Sequence, residues 1–117
     1  MKKLVLLVDD EEIIRMTTGE ILQELGFDVI SAGTGYEGLD AYKENHSKIA
    51  LVILDMTLPD ITGVELFAEM KKISKDVKFL LTSGYSHDMT GADNDAMFIQ
   101  KPYTMTDLDK RLKEIFS

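Results

Sequence analysis

The stretch Ile49-Ala50-Leu51-Val52-Ile53-Leu54-Asp55 is six apolar residues closed by a carboxylate. A run that is apolar at nearly every position suits a strand buried on both faces of a sheet; alternation would mark a strand with one face in water. Leu4–Val8, followed by Asp9-Asp10, repeats the pattern, and so does Val77–Leu81, followed by Thr82-Ser83. Phe27–Ile30 and Ala96–Ile99 are shorter versions, the second running into Gln100-Lys101-Pro102. Helical spacing fills the intervals. Residues 11–25 carry Ile13, Ile14, Thr17, Ile21, Leu22 and Leu25 on one stripe, with Gly26 as the stop. Residues 35–45 place Tyr36, Leu39 and Tyr42 three apart, and residues 63–74 do the same with Val64, Phe67, Met70 and Ile73. A last helix is predicted from Thr104, where Asp107 completes a capping pair ahead of Leu108, Leu112 and Ile115.

Strands alternating with helices predict an α/β fold: an open five-stranded parallel sheet, flavodoxin-like in its order 2-1-3-4-5, with helices on both faces. Residues 84–95 break the pattern, with glycines, Asp and Asn and only Met89 and Ala92 as apolar anchors. The fourth helix, between the fourth and fifth strands, is therefore expected to be short or absent, leaving a helical turn or a mobile loop.

Composition narrows the function. The 117 residues suit one domain, residues 1–117, and 44% hydrophobic against 29% charged residues excludes a disordered chain. Thirteen Lys plus Arg against twenty-one Asp plus Glu leave a net charge of −8, the wrong sign for tracking nucleic-acid phosphates. With no cysteine there is no disulfide framework and no thiolate chemistry. The first apolar run is too short for a signal peptide, and no stretch is long enough to cross a bilayer, so a cytoplasmic protein without membrane insertion is expected.

Each predicted strand ends in chemistry-bearing residues, and open α/β sheets bind ligands at the carboxyl ends of their strands, where the strand order reverses. Order 2-1-3-4-5 sets Asp9, Asp10 and Asp55 on neighbouring strands about 5 Å apart, with Ser83 one strand further and Lys101 another. Two such carboxylates repel by about 3 kcal/mol at an effective dielectric of 20. A proton or a cation must relieve that, and an oxygen-only site without His or Cys suits Mg²⁺. Acids, a divalent ion, a hydroxyl and a lysine together suit a phosphoryl group, with Asp55 on the middle strand as its acceptor. Singly, each feature has a duller reading. An acidic helix start complements the helix dipole, a lone Asp after a strand caps a turn, and a Lys-Pro pair sits in a solvated loop. Four such placements on four different strands outweigh those separate readings.

Quoted in order, LVLLVDDEE, LVILDMTLPDITGVEL, FLLTSGYS and FIQKPY make the chain resemble a response regulator receiver domain along its whole length, with SGY and QKPY in the style of hybrid histidine kinases. The resemblance implies that Asp55 accepts a phosphoryl group from a histidine kinase or a histidine phosphotransfer protein. It implies that Asp10, Asp55 and the backbone carbonyl of Thr57 ligate Mg²⁺, that Asp9 acts on the metal indirectly, and that the Thr57 side chain tunes hydrolysis. Ser83 and Lys101 would hold the phosphoryl oxygens, Lys101 through a cis bond to Pro102. Ser83 and Phe98 would form the switch that alters binding of a downstream protein. Phe98 lies fifteen positions after Ser83, about one helical turn less than the family spacing.

Two other functions compete. An Mg²⁺-dependent phosphatase with an aspartyl nucleophile wants a second acid two residues after it, where this chain has Thr57. A receiver-shaped interaction module that no longer takes phosphate would not need the intact set of acids, hydroxyl and lysine. The expectation is a phosphoacceptor switch that promotes its own phosphorylation and dephosphorylation and turns over no external substrate. The final helix pattern ends at Phe116-Ser117, so no DNA-binding effector is expected within these 117 residues.

Overall fold

The structure is a computed structural model that describes residues 2–84 and 96–116. Chain order is β1 (Leu4–Val8), α1 (Glu12–Glu24), β2 (Asp28–Ala32), α2 (Gly35–Asn45), β3 (Ile49–Asp55), α3 (Gly63–Ile73), β4 (Lys78–Ser83), β5 (Ala96–Gln100) and α4 (Met105–Phe116). The strands form one sheet in the order β2-β1-β3-β4-β5, every neighbouring pair parallel, as the alternation predicts. Segments 85–95 would hold the helix expected to be short or absent, so that expectation lies outside the described residues.

Burial follows the apolar runs. β1, β3 and β4 are buried along nearly their whole length, whereas β2 at the sheet edge is half-exposed. Alternate strand residues feed two cores. Leu6, Val8, Val52, Leu54, Phe79 and Leu81 pack under α2 and α3 with Tyr42, Leu66, Phe67 and Met70. Val5, Leu7, Leu51, Ile53, Leu80 and Ile99 pack under α1 and α4 with Leu22, Leu108 and Leu112. The Phe67 and Phe79 rings meet edge to face at 4.8 Å, a favoured aromatic geometry.

The helix stripes differ from expectation at their N-terminal turns. Ile13, Tyr36 and Val64, read as core-facing, are exposed. The reason is geometric. In a parallel β/α layout each helix starts beside the carboxyl end of a strand, so its first turn overhangs the sheet edge and has no strand beneath it. β2 also begins and ends later than its apolar run. Its register with β1, from Leu4 opposite Asp28 to Val8 opposite Ala32, carries the ladder to Ala32, and Phe27 instead stacks on Phe116 at 5.8 Å.

Capping sets the helix ends. Thr34, Thr62 and Thr104 accept from Glu37, Glu65 and Asp107 N–H respectively, and Asp107 returns the contact to the Thr104 N–H, closing the capping pair read from sequence. Gly26 ends the first helix at φ 96°, a conformation that favours glycine. A Cβ on Gly63 would lie 2.5 Å from the Met56 Cα, so the chain just after Asp55 is pressed against the start of α3. Among the described residues, no helix is long and apolar enough to cross a membrane. Gly63→Ala is expected to lower unfolding free energy by about 1–3 kcal/mol through that overpacking. Gly19→Ala, where a Cβ meets nothing within 4 Å, is expected to raise it by about 0.5–1 kcal/mol. Urea unfolding of both variants checks the contrast, and equal effects would contradict it.

Candidate functional site

Strand register builds the site. Val8 opposite Leu54 makes Asp9 and Asp55 lateral neighbours just past the paired ends of β1 and β3. The Asp9 N–H continues the ladder by donating to the Ala32 carbonyl at 3.1 Å. Asp9 and Asp55 are each 1% exposed, which is rare for a carboxylate, while Asp10 faces solvent. Asp9, Asp10 and Asp55 each present an oxygen within 4.8 Å of the others. An all-oxygen donor set of that span fits a hard divalent cation.

Lys101 closes the opposite side. Its N–H donates to the Ser83 carbonyl at 2.8 Å, which fixes the turn off β5, and the Lys101-Pro102 bond is cis. The ammonium reaches Asp9 Oδ2 at 2.8 Å, Asp55 Oδ2 at 3.2 Å and Glu11 Oε2 at 3.7 Å. Thr57 donates to Asp55 Oδ1 twice, from its N–H and from its hydroxyl, each at 2.9 Å. Both oxygens of Asp55 are thereby held, and the plane of its carboxylate with them. A cavity of about 490 Å³ opens over these groups, lined by Glu11, Ile14, Thr57, Gly84, Lys101 and Pro102.

Ser83 is buried at the end of β4. Leu81 pairs with Phe98 and Ser83 with Gln100, so strand alternation sets Ser83 and the half-buried Phe98 toward the same sheet face, the one covered by α2 and α3. Every residue predicted for the site thus lies at one end of the sheet or on the strand beside it. Sequence reading passed over several supporting groups. Arg15 donates to the Asp9 carbonyl at 2.6 Å, and the Glu11 N–H donates to Asp9 Oδ1 at 2.9 Å. The Tyr103 and Thr18 hydroxyls share a hydrogen bond of 2.9 Å, tying the segment after Lys101 to α1. Asp60 accepts from the Gly35 and Tyr36 N–H groups at 2.9 and 3.0 Å, docking the β3–α3 loop on the start of α2. The last two contacts join residues 24 to 85 positions apart, and no local motif marks them.

Burial raises the Asp9 carboxyl above its ordinary 3.8, outweighing the hydrogen bonds from Lys101 and Glu11, and the charge of Asp55 adds to the rise. Burial alone would lower Lys101, but the Asp9 hydrogen bond and the charges of Asp55 and Asp9 prevail and raise it above 10.5. Burial also raises Tyr103. For Asp9, the folded chain holds a proton where the unfolded chain has lost it, so its ionisation removes stability as pH climbs from 3.8 through the raised value. For Lys101, stability is fully present below 10.5 and is lost as pH rises through the folded value. Lys101→Met leaves buried carboxylates without their cation and is expected to cost about 3 kcal/mol at neutral pH. That penalty should shrink toward acid pH as Asp9 takes up its proton. Denaturation of both chains across this pH range checks the slope, and a penalty constant with pH would contradict it.

Comparison with known proteins agrees with this geometry. The model of the response regulator receiver domain matches residues 5–113. The sensor kinase CckA of Brucella abortus is 34% identical over 115 residues, which are 95% of this chain and 12% of that protein. A CheY-like receiver domain protein from Methanospirillum hungatei superposes with a TM-score of 0.83 at 35% identity, covering 97% of this chain and 93% of that one. The response regulator TrrA of Thermotoga maritima, in complex with Mg(2+)-BeF, superposes with a TM-score of 0.85 at 34% identity, covering 98% and 99%. The chain spans less than half the length of the first two curated relatives it matches. A family match over nearly all residues, on a sheet whose acids and lysine converge at one end, means that the chain belongs to the response regulator receiver domain family, whose members accept a phosphoryl group on an aspartate.

Proposed function

We propose that residues 1–117 form one cytoplasmic receiver module in which Asp55 accepts a phosphoryl group from the phosphohistidine of a kinase or phosphotransfer protein. The observation that carries this reading is the convergence on Asp55. Two Thr57 donors hold Oδ1, Lys101 faces Oδ2, and Asp9 and Asp10 crowd the same corner. A carboxylate so fixed is oriented for in-line attack on phosphorus, with the imidazole nitrogen of the donor as leaving group. Asp10, Asp55 and the Thr57 carbonyl would hold Mg²⁺, with Asp9 acting indirectly, consistent with the Mg(2+)-BeF complex of TrrA. The ion supplies charge neutralisation for the phosphoryl oxygens.

The chain's own groups do the rest. Lys101 pairs with the phosphoryl oxygens, and the Ser83 hydroxyl donates to them. Drawing Ser83 inward frees room on the sheet face it shares with Phe98, so the aromatic ring and the loop after β4 change place together. That change is the switch offered to a downstream protein. With the acids and Lys101 already assembled, a small phosphodonor suffices for self-phosphorylation, and Thr57 at the mouth governs access of water for autodephosphorylation. Thr57 has no carboxyl to act as a general acid, so the phosphatase alternative gains no support. The partner meets a rim of apolar side chains. Ile13, Tyr36, Val64 and Met105 are all exposed in the first turns of their helices, at the end of the sheet that carries Asp55, and Met16 extends the exposed apolar surface of α1 by one more turn.

Incubation with acetyl phosphate and Mg²⁺, followed by intact mass and peptide mapping, tests the assignment. The expected result is one acid-labile phosphoryl group on Asp55, lost in Asp55→Asn. No adduct, or an acid-stable one on Ser83, would overturn it.

A further inference from the structure

Thr82 is 1% exposed, and its hydroxyl has no hydrogen-bond partner among the described residues. Buried hydroxyls are normally satisfied, and an unsatisfied one destabilises the fold. Valine has nearly the same shape, suits a strand, and would fill this place with no polar atom to satisfy. The surroundings suit valine too. Leu80 and Ile99, on the same sheet face, belong to the apolar core under α1 and α4. Among the described residues, nothing in the resting state engages the hydroxyl.

Its position shows what another state would give it. Thr82 is in register with Asp55 on one side and Ile99 on the other. The strand order places β4 between β3 and β5, so the Lys101 side chain must cross β4 to reach Asp55. Asp55, Thr82 and Ile99 lie side by side in register and so start on one face, and Lys101 leaves the end of β5 two residues after Ile99. In the resting chain the three ammonium protons have three carboxylates to choose among, Asp9, Asp55 and Glu11. Phosphorylation removes the charge of the Asp55 carboxylate, and a divalent ion competes for Asp9. Lys101 then turns to the phosphoryl oxygens and needs a further, neutral acceptor along its path.

Resting on the assignment of Asp55 as phosphoacceptor, we infer that Thr82 is a positioning residue for the loaded state, its hydroxyl oxygen accepting a hydrogen bond from the Lys101 ammonium once that ammonium shifts onto the phosphoryl group. Thr82 and Ser83 thereby divide the work between the two faces of β4. Ser83 couples the phosphoryl group to the face of Phe98, and Thr82 steadies Lys101 on the opposite face.

The test compares Thr82→Val and Thr82→Ser with the parent chain. Without Mg²⁺, Thr82→Val is expected to unfold at the same temperature as the parent or a higher one, and Thr82→Ser at a lower one, because only serine gives up the buried methyl. With Mg²⁺ and beryllofluoride the order reverses. Thr82→Val should bind beryllofluoride roughly tenfold more weakly, the effect of one lost hydrogen bond to a charged group, whereas Thr82→Ser should stay near the parent. Unchanged affinity in Thr82→Val, equal loss in both variants, or a lower unfolding temperature of metal-free Thr82→Val would each overturn the role of Thr82 and leave the assignment of Asp55 standing. A parent chain that neither binds beryllofluoride nor takes phosphate from acetyl phosphate would overturn both.

Discussion

Negative charge packed into the end of a parallel sheet, and balanced by one ammonium, governs this molecule. Asp9 and Asp55 are buried on adjacent strands, Asp10 adds a third carboxylate, and Lys101 reaches across from the far edge to within 2.8 and 3.2 Å of the two buried acids. Burial holds Asp9 above its ordinary value even with Lys101 against it, so one lysine leaves the cluster under-compensated. A site in that condition gains by taking up further positive charge. It is also sensitive to any event that moves charge within it, which is what a switch requires.

The sheet makes this arrangement possible. Parallel pairing brings every strand to the same end, so residues separated by dozens of positions become neighbours through register alone. The same layout sends the first turns of the helices past the sheet edge, which strands apolar side chains around the site and away from the core. The acid cluster and the exposed apolar rim therefore share one end of the molecule, and the hydrophobic cores under the two sheet faces serve as its rigid support.

Much of this was legible because buried parallel strands announce themselves as uninterrupted apolar runs, and the polar residue that stops each run is the one the fold delivers to the site. The positions of Asp9 and Asp55 were readable for that reason, and Lys101 lies one residue beyond the polar stop of its run. Helix faces were less so. Ile13 and Val64 fit an apolar stripe by spacing, but spacing does not say where the sheet ends beneath a helix. Contacts such as Tyr103 with Thr18, 85 residues apart, depend on two loops meeting in space and leave no periodic trace. The same holds for Asp60 on the start of α2, and for the hydroxyl of Thr82, which in sequence reads only as the neighbour of Ser83 where the fourth apolar run stops.

The central claim is that the acid cluster is built to receive a divalent cation at Asp55. Titrating the chain with Mg²⁺ while following backbone amide shifts tests it most directly. The account predicts saturable one-to-one binding that moves the amides of Asp9, Asp10, Asp55 and Thr57 and disappears in Asp10→Ala. Shifts that never saturate, or that survive the loss of Asp10 undiminished, would contradict it.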